Sequence, residues 1–215
     1  MLLQIDDLTR PNHPYLQAQD ECHYLLEYTP KQGYNFSATN QLILNLKKSP
    51  DRQGKSDYHY KAEAILQAGD MLRSSLNEEW LASGPTFVPI PCSKSKTHLL
   101  YDDRMIRVLR RLTRGSAADV RELIVQTEDL ECFHEGYRLR PDQLARYYEL
   151  DTELLEDSPR EVVLFDDMLT TGCHFKAAQS AILQHWPDGV PIAGIFLARV
   201  VRPEVSTENL LDFFG

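Results

Sequence analysis

Between Glu161 and Trp186 the chain reads EVVLFDDMLTTGCHFKAAQSAILQHW, and no other stretch restricts the fold as much. Val162, Val163, Leu164 and Phe165 form a short apolar run, β-branched at its start. That is the pattern of a strand buried on both faces of a parallel sheet. Two carboxylates, Asp166 and Asp167, end the run. Met168-Leu169-Thr170-Thr171-Gly172 then supplies a turn with two hydroxyls and a glycine, after which Phe175, Ala178, Ile182 and Trp186 recur at helical spacing. Strand, polar turn and helix in this order make the α/β unit whose ligands sit at the carboxyl ends of the strands. The helix N-terminus there offers unpaired N–H groups and partial positive charge to an anion.

Neighbouring carboxylates at a strand end accept hydrogen bonds from vicinal sugar hydroxyls, directly or around a divalent cation. Thr170, Thr171 and the amides around Gly172 suit a phosphate. Together they match a ribose 5-phosphate grasped at both ends. LFDDMLTTG resembles the phosphoribosyl pyrophosphate (PRPP) motif of type I phosphoribosyltransferases: apolar residues, two acids, two more apolar residues, then Thr-Thr-Gly. The resemblance implies that Asp166 and Asp167 are the catalytic acids and share Mg²⁺, and that Thr170, Thr171, Gly172, Cys173 and His174 bind the 5-phosphate. Cys173 and His174 stand where the family usually places a small residue and then a threonine or serine. An imidazole N–H there replaces the hydroxyl, and Cys173, at a helix N-terminus, is read as a small polarisable filler in preference to a low-pKa thiol. A ligand-free strand-turn-helix with an acidic cap accounts for one acid, but not for the second acid and both threonines.

Upstream, Phe87-Val88-Pro89-Ile90-Pro91 reads as the first core strand, and Cys92-Ser93-Lys94-Ser95-Lys96-Thr97-His98 as the loop at its end. Two lysines, hydroxyls and free amides make a cradle for a pyrophosphate. VPIPCSKSK is similar to the family's pyrophosphate loop, above all to the VPVP-type opening of the competence-associated (ComF-type) members. The resemblance implies that Cys92, Ser93, Lys94, Ser95 and Lys96 hold the pyrophosphate, joined by Arg104 as the nearest arginine.

Arg104, Arg107, Arg110, Arg111 and Arg114 crowd a helix that turns Met105, Ile106, Leu109 and Leu112 inward. A charged helix face is the leading reading. A dimer contact that lends Arg104 to the neighbouring site comes second, since type I members commonly work as dimers, and a nucleic-acid patch third. A net charge of −9 argues against a general nucleic-acid or anionic-membrane binder.

A chain of 215 residues, 42% hydrophobic and 26% charged, suits one domain with a full core. Four cysteines without a CxxC pair read as reduced thiols. With no apolar run of about 18 residues and no signal-peptide pattern, a cytoplasmic protein is expected. Residues 1–56 are expected as an N-terminal arm or hood, in which Cys22–Tyr28 and Gln41–Lys48 make a hairpin or strand-plus-helix over the core. Residues 57–215 form the core, with an inserted loop at 127–160. A helix from Asp57 carries Ala62, Ile65, Leu66, Gly69, Leu72 and Leu76 on one face, and His59, Tyr60 and Lys61 on a solvated edge. Leu123–Gln126 reads as a further strand and Ile192–Val201 as the last one. The resemblance implies a hood that selects the acceptor, in which Phe133, His134, Tyr137 and Arg138 either contact it or simply pack the hood down.

The expected architecture is α/β, a parallel twisted sheet of about four or five strands flanked by helices, with a small hood. The resemblance implies transfer of a 5-phosphoribosyl group from Mg-PRPP to a nitrogen nucleophile, in a homodimer. Two alternatives stay open: a module that senses PRPP or a nucleotide without turnover, and a partner subunit of a bacterial regulatory or defence assembly that uses the Arg104–Arg114 helix.

Overall fold

The structure is a computed structural model that describes residues 1–130, 139–155, 158–187 and 189–202. Along the chain run β1 (Leu3–Gln4), β2 (Glu21–Tyr28), α1 (Ala38–Leu46), α2 (His59–Ser75), α3 (Glu78–Ala82), β3 (Thr86–Pro89) and α4 (Arg104–Leu112). They are followed by β4 (Asp119–Val120), β5 (Ile124–Gln126), α5 (Pro141–Leu144), β6 (Tyr148–Leu150), β7 (Val162–Leu169), α6 (Cys173–His185) and β8 (Ile192–Val200).

Among the described residues six strands form one sheet in the order β1-β2-β8-β7-β3-β4. All neighbours are parallel except the edge pair β1–β2. The fold is therefore α/β with a mostly parallel sheet, one antiparallel edge strand larger than the sequence suggests. Val162 to Phe165 are completely buried, as their unbroken apolar run requires. β7 does not end at the acids, however. It stays in register with β8 as far as Leu169 opposite Arg199, so Asp166 and Asp167 belong to the strand.

Residues 21–28 do not lie over the core either. β2 enters the sheet beside β8, with the helix α1 packed against it. The contact is tight where Cys22 pairs with Gly194: a Cβ at 194 would stand 3.0 Å from the Cys22 sulfur and 2.9 Å from the Phe175 ring. Leu123–Gln126 stays out of the main sheet. β5 pairs antiparallel with β6 as a separate ribbon, because Ile124 and Tyr148 bury against the α6 side of the core.

Two apolar layers sandwich the sheet. α6 and the β5–β6 ribbon cover one face, with Phe175, Ala178 and Ile182 inward as their spacing predicts. α1, α2 and α4 cover the other against Phe87, Val163 and Phe165. Each fully buried phenylalanine contributes roughly 1.5–3 kcal/mol relative to exposure. The inward stripe of α2 differs from the expected one. Leu66 is 50% exposed, and Lys61, expected on a solvated edge, is buried at 2%. Its ammonium has three acceptors in the interior, described below, which is what makes that burial tolerable.

Among the described residues no helix is long and apolar enough to cross a membrane. Phe133, His134, Tyr137 and Arg138, Cys132, and the tail from Glu204 lie outside the described residues.

Candidate functional site

Successive residues of a strand point to opposite faces, so the two acids of β7 meet different surroundings. Asp167 turns toward the α1–α2–α4 layer. Lys47, the C-cap of α1, reaches its Oδ1 at 3.0 Å. Arg104, the first residue of α4, donates to its Oδ2 from Nε at 2.9 Å and approaches the same atom with Nη2 at 2.8 Å. Asp166 is half-buried and accepts the Asp167 N–H on Oδ1 at 2.7 Å. Burial, reinforced by the negative charge of Asp167, raises its carboxyl from the usual 3.8 to about 7. For Asp167 burial works in the same direction, but Arg104 and Lys47 outweigh it and hold the carboxyl below the usual range. The two acids are thus pushed in opposite directions, Asp166 above the usual carboxylate range and Asp167 below it.

The turn after β7 is shaped by Gly172, whose φ of 83° is left-handed and favours glycine. A Cβ there would also stand 2.8 Å from the Leu16 side chain. The N-terminal arm is strapped to this turn: the Tyr15 N–H donates to the Thr171 carbonyl at 3.0 Å, and His13 Nδ1 donates to the Thr170 carbonyl. α6 then begins at Cys173 with first-turn amides that have no partner inside the helix. Its thiol donates to the Leu139 carbonyl at 3.2 Å, and burial pushes its pKa up to about 11. Cys173 is therefore a packed thiol, as the filler reading has it.

Ser93 and Ser95 are tied back by Asp129 and Leu130: Leu130 N–H donates to the Ser93 carbonyl, and Asp129 Oδ1 accepts the Ser95 N–H, both at 2.8 Å. Lys96 turns away to Glu122 at 3.4 Å and borders a separate cleft of about 30 Å³.

A cavity of about 560 Å³ opens over the carboxyl ends of β3 and β7. Of the residues expected in the site, Cys92, Ser93, Lys94, Arg104, Asp166, Asp167, Thr170, Gly172, Cys173 and His174 line it. Ser95, Lys96 and Thr171 do not. Thr171 instead helps build the turn, with its Oγ1 accepting the Cys173 N–H at 3.4 Å. His174 is exposed to the cavity. Ile90, Leu100, Met105, Phe175 and Phe196 complete an apolar floor.

No family model matches the chain, and no curated protein matches it.

Lys47 was not among the sequence candidates, although it lines the cavity and holds Asp167. The signal was the Lys47-Lys48 pair that closes the apolar run QLILNLKK at a helix end. Asp102 and Lys61 were missed as well, because nothing in the local pattern links positions 61 and 102. The arginine helix divides by position. Arg107 pairs with Asp103 one turn back and Arg111 with Asp70 of α2, as a charged helix face should. Arg104 is bound to Asp167 of its own chain.

For a divalent cation, no group of three or more His, Cys, Asp or Glu side chains is arranged to hold one among the described residues. Both oxygens of Asp167 already face cations. Asp166 is the fitting protein ligand, since Mg²⁺ is commonly held by one or two carboxylates with substrate phosphates and water supplying the rest.

Proposed function

We propose that the cavity takes PRPP with Mg²⁺, and that the chain transfers its 5-phosphoribosyl group to a nitrogen nucleophile with release of pyrophosphate. The observation that carries this reading is the meeting, in one cavity of about 560 Å³, of the acid pair, the turn at the start of α6 and the loop Cys92–Lys94. Its volume falls within the range of roughly 300–1,000 Å³ usual for small-molecule sites.

In this reading Thr170, the first amides of α6 and the His174 ring hold the 5-phosphate. Ser93, Lys94 and the free donors of Lys47 hold the pyrophosphate. Asp166 takes the ribose hydroxyls and the cation. Asp167 works from behind, keeping Lys47 and Arg104 in place. The bond from that carbon to the pyrophosphate oxygen breaks, and its electron pair leaves with the pyrophosphate. A bond to the acceptor nitrogen forms, and the acceptor's proton passes to solvent. Positive charge grows on the sugar while negative charge gathers on the leaving group. Catalysis is then a matter of positioning and preset electrostatics. Mg²⁺, when bound, supplies charge neutralisation to the pyrophosphate.

A second reading is favoured by one feature. With both oxygens of Asp167 engaged by Lys47 and Arg104, the pair offers one free carboxylate in place of two. This suits a module that recognises PRPP or a nucleotide without turning it over. Calorimetry with Mg-PRPP, combined with a pyrophosphate-release assay over a panel of bases and amines, separates the cases. Binding with release supports the transferase. Binding without release supports the sensor, and absence of binding defeats both.

A further inference from the structure

Lys61 sits in the first turn of α2 with 2% of its side chain exposed, and its ammonium is fully bonded. It donates to the carbonyls of Leu46 at 2.7 Å and Lys48 at 2.8 Å, and to Asp102 Oδ2 at 2.8 Å. An ammonium has three N–H donors, and here each has an acceptor. The two carbonyls flank Lys47. The carboxylate is the one that also receives Arg104, from Nη1 at 2.9 Å onto Oδ2 and from the backbone N–H at 3.2 Å onto Oδ1. Lys47 and Arg104 in turn grip the two oxygens of Asp167 in the cavity. One buried charge thus holds the backbone on both sides of one cavity cation and the anchor of the other. Burying an ion is unfavourable, and apolar replacements of similar volume are often as stable or more so. Core filling, which a methionine would serve, does not account for a lysine here.

We infer that Lys61 is a positioning residue of the cavity: it locks the C-terminus of α1 to the N-terminus of α4 in the arrangement that presents Lys47 and Arg104 to Asp167 and to the polyphosphate end of a ligand. The ligand half of this statement rests on the PRPP reading, whereas the positioning half is a property of the protein alone. Without Lys61, the α1 end and Asp102 lose their common partner. Asp102 then draws Arg104 away from Asp167, and Lys47 loses its fixed approach.

The test has two arms on the full chain. In the first, nitrogen-15 NMR follows solvent exchange of the Arg104 Nε–H. Lys61→Met is expected to speed that exchange by at least about tenfold while the amides of β7 and β8 keep their protection. Lys61→Gln, which removes the charge and leaves Asp102 and its contacts to Arg104 in place, should give the same signature and decides the matter if Lys61→Met does not fold. An unchanged Arg104 Nε–H in a folded variant overturns the inference. In the second arm, calorimetry with Mg-PRPP and with inorganic pyrophosphate should show affinity falling by about tenfold in Lys61→Met. In a Lys47→Gln, Arg104→Gln background the same change should cost no more than about twofold, because the residue acts through those two. Equal losses in both backgrounds overturn it. If the unaltered protein binds neither probe, the PRPP reading fails, and the exchange arm still decides the role of Lys61.

Discussion

Arg104 and Asp167 lie 63 residues apart in the chain, yet the guanidinium Nη2 stands 2.8 Å from the carboxylate Oδ2. The contact joins the first turn of α4 to the end of the central strand β7 and draws a basic helix start over an acidic strand end. With Lys47 on the other oxygen it leaves Asp167 charged, buried and balanced. Its neighbour Asp166 has no cation within ion-pair distance in the described structure, and from this difference the two acids are expected to behave oppositely.

Asp167→Asn removes the negative partner of two cations, one of them 15% exposed. Breaking a buried pair from one side is expected to destabilise the fold by about 3 kcal/mol. Urea unfolding at pH 7.5 measures it, and a loss below about 0.5 kcal/mol would place the pair among the near-neutral surface bridges.

Asp166→Asn should do the reverse above neutrality. The folded carboxyl titrates near 7 and the unfolded one near 3.8, so between these values the folded state holds more protons. Stability contributed by this group is therefore full below about pH 4, falls as pH rises through the window, and levels off above 7. The asparagine variant should lose that slope and gain in midpoint relative to the unaltered protein at pH 8. Asp167, with its carboxyl held low, contributes stability above its unfolded value that disappears on acidification. A carbon-13 titration of the aspartate carboxyls reads both groups directly; a midpoint for Asp166 near 4 contradicts the assignment.

Gly172→Ala meets two obstacles, a left-handed φ of 83° and the Leu16 side chain 2.8 Å from the new methyl. A loss of roughly 1–3 kcal/mol is expected for the backbone strain, with the contact adding to it. Leu16→Ala in the same chain should recover the contact part alone. Thermal unfolding of the two single variants and the double variant gives the coupling, and strict additivity would show that the arm does not press on the turn.

Thr170→Val and Lys94→Gln remove one donor at each end of the cavity without touching the core. Each is expected to weaken Mg-PRPP by about tenfold, near the 1.4 kcal/mol of a charge-assisted or well-placed hydrogen bond. Lys96→Gln, whose ammonium faces Glu122, serves as the comparison and should change affinity little. Calorimetry on the three variants ranks them, and a larger effect at Lys96 than at Lys94 would mean that the loop closes differently around ligand.

How much of this was readable beforehand depends on whether the cause is local. β7, the turn and α6 follow from contiguous residues whose period and chemistry agree, and ten of the proposed contacts do line one cavity. The place of β2 was not readable, since an eight-residue strand fits an edge hairpin or a parallel sheet equally well until its partner β8 is known. Ser95, Lys96 and Thr171 share the composition of their neighbours. Only the pull of Asp129 and Glu122 and the strap from Tyr15 turn them from the cavity. Lys61 was hidden for the same reason. A lysine on an amphipathic helix reads as solvated unless acceptors 15 and 41 positions away are known to converge on it.

In the proposed complex one ligand is held at both ends, by the turn after β7 and by the loop after β3. A competition titration tests it most directly: ribose 5-phosphate and inorganic pyrophosphate are each bound to the protein with Mg²⁺, and PRPP is then added. Each half is expected to bind alone and PRPP to displace both, with one PRPP bound per chain. PRPP failing to bind, or leaving either half in place at saturation, would contradict it.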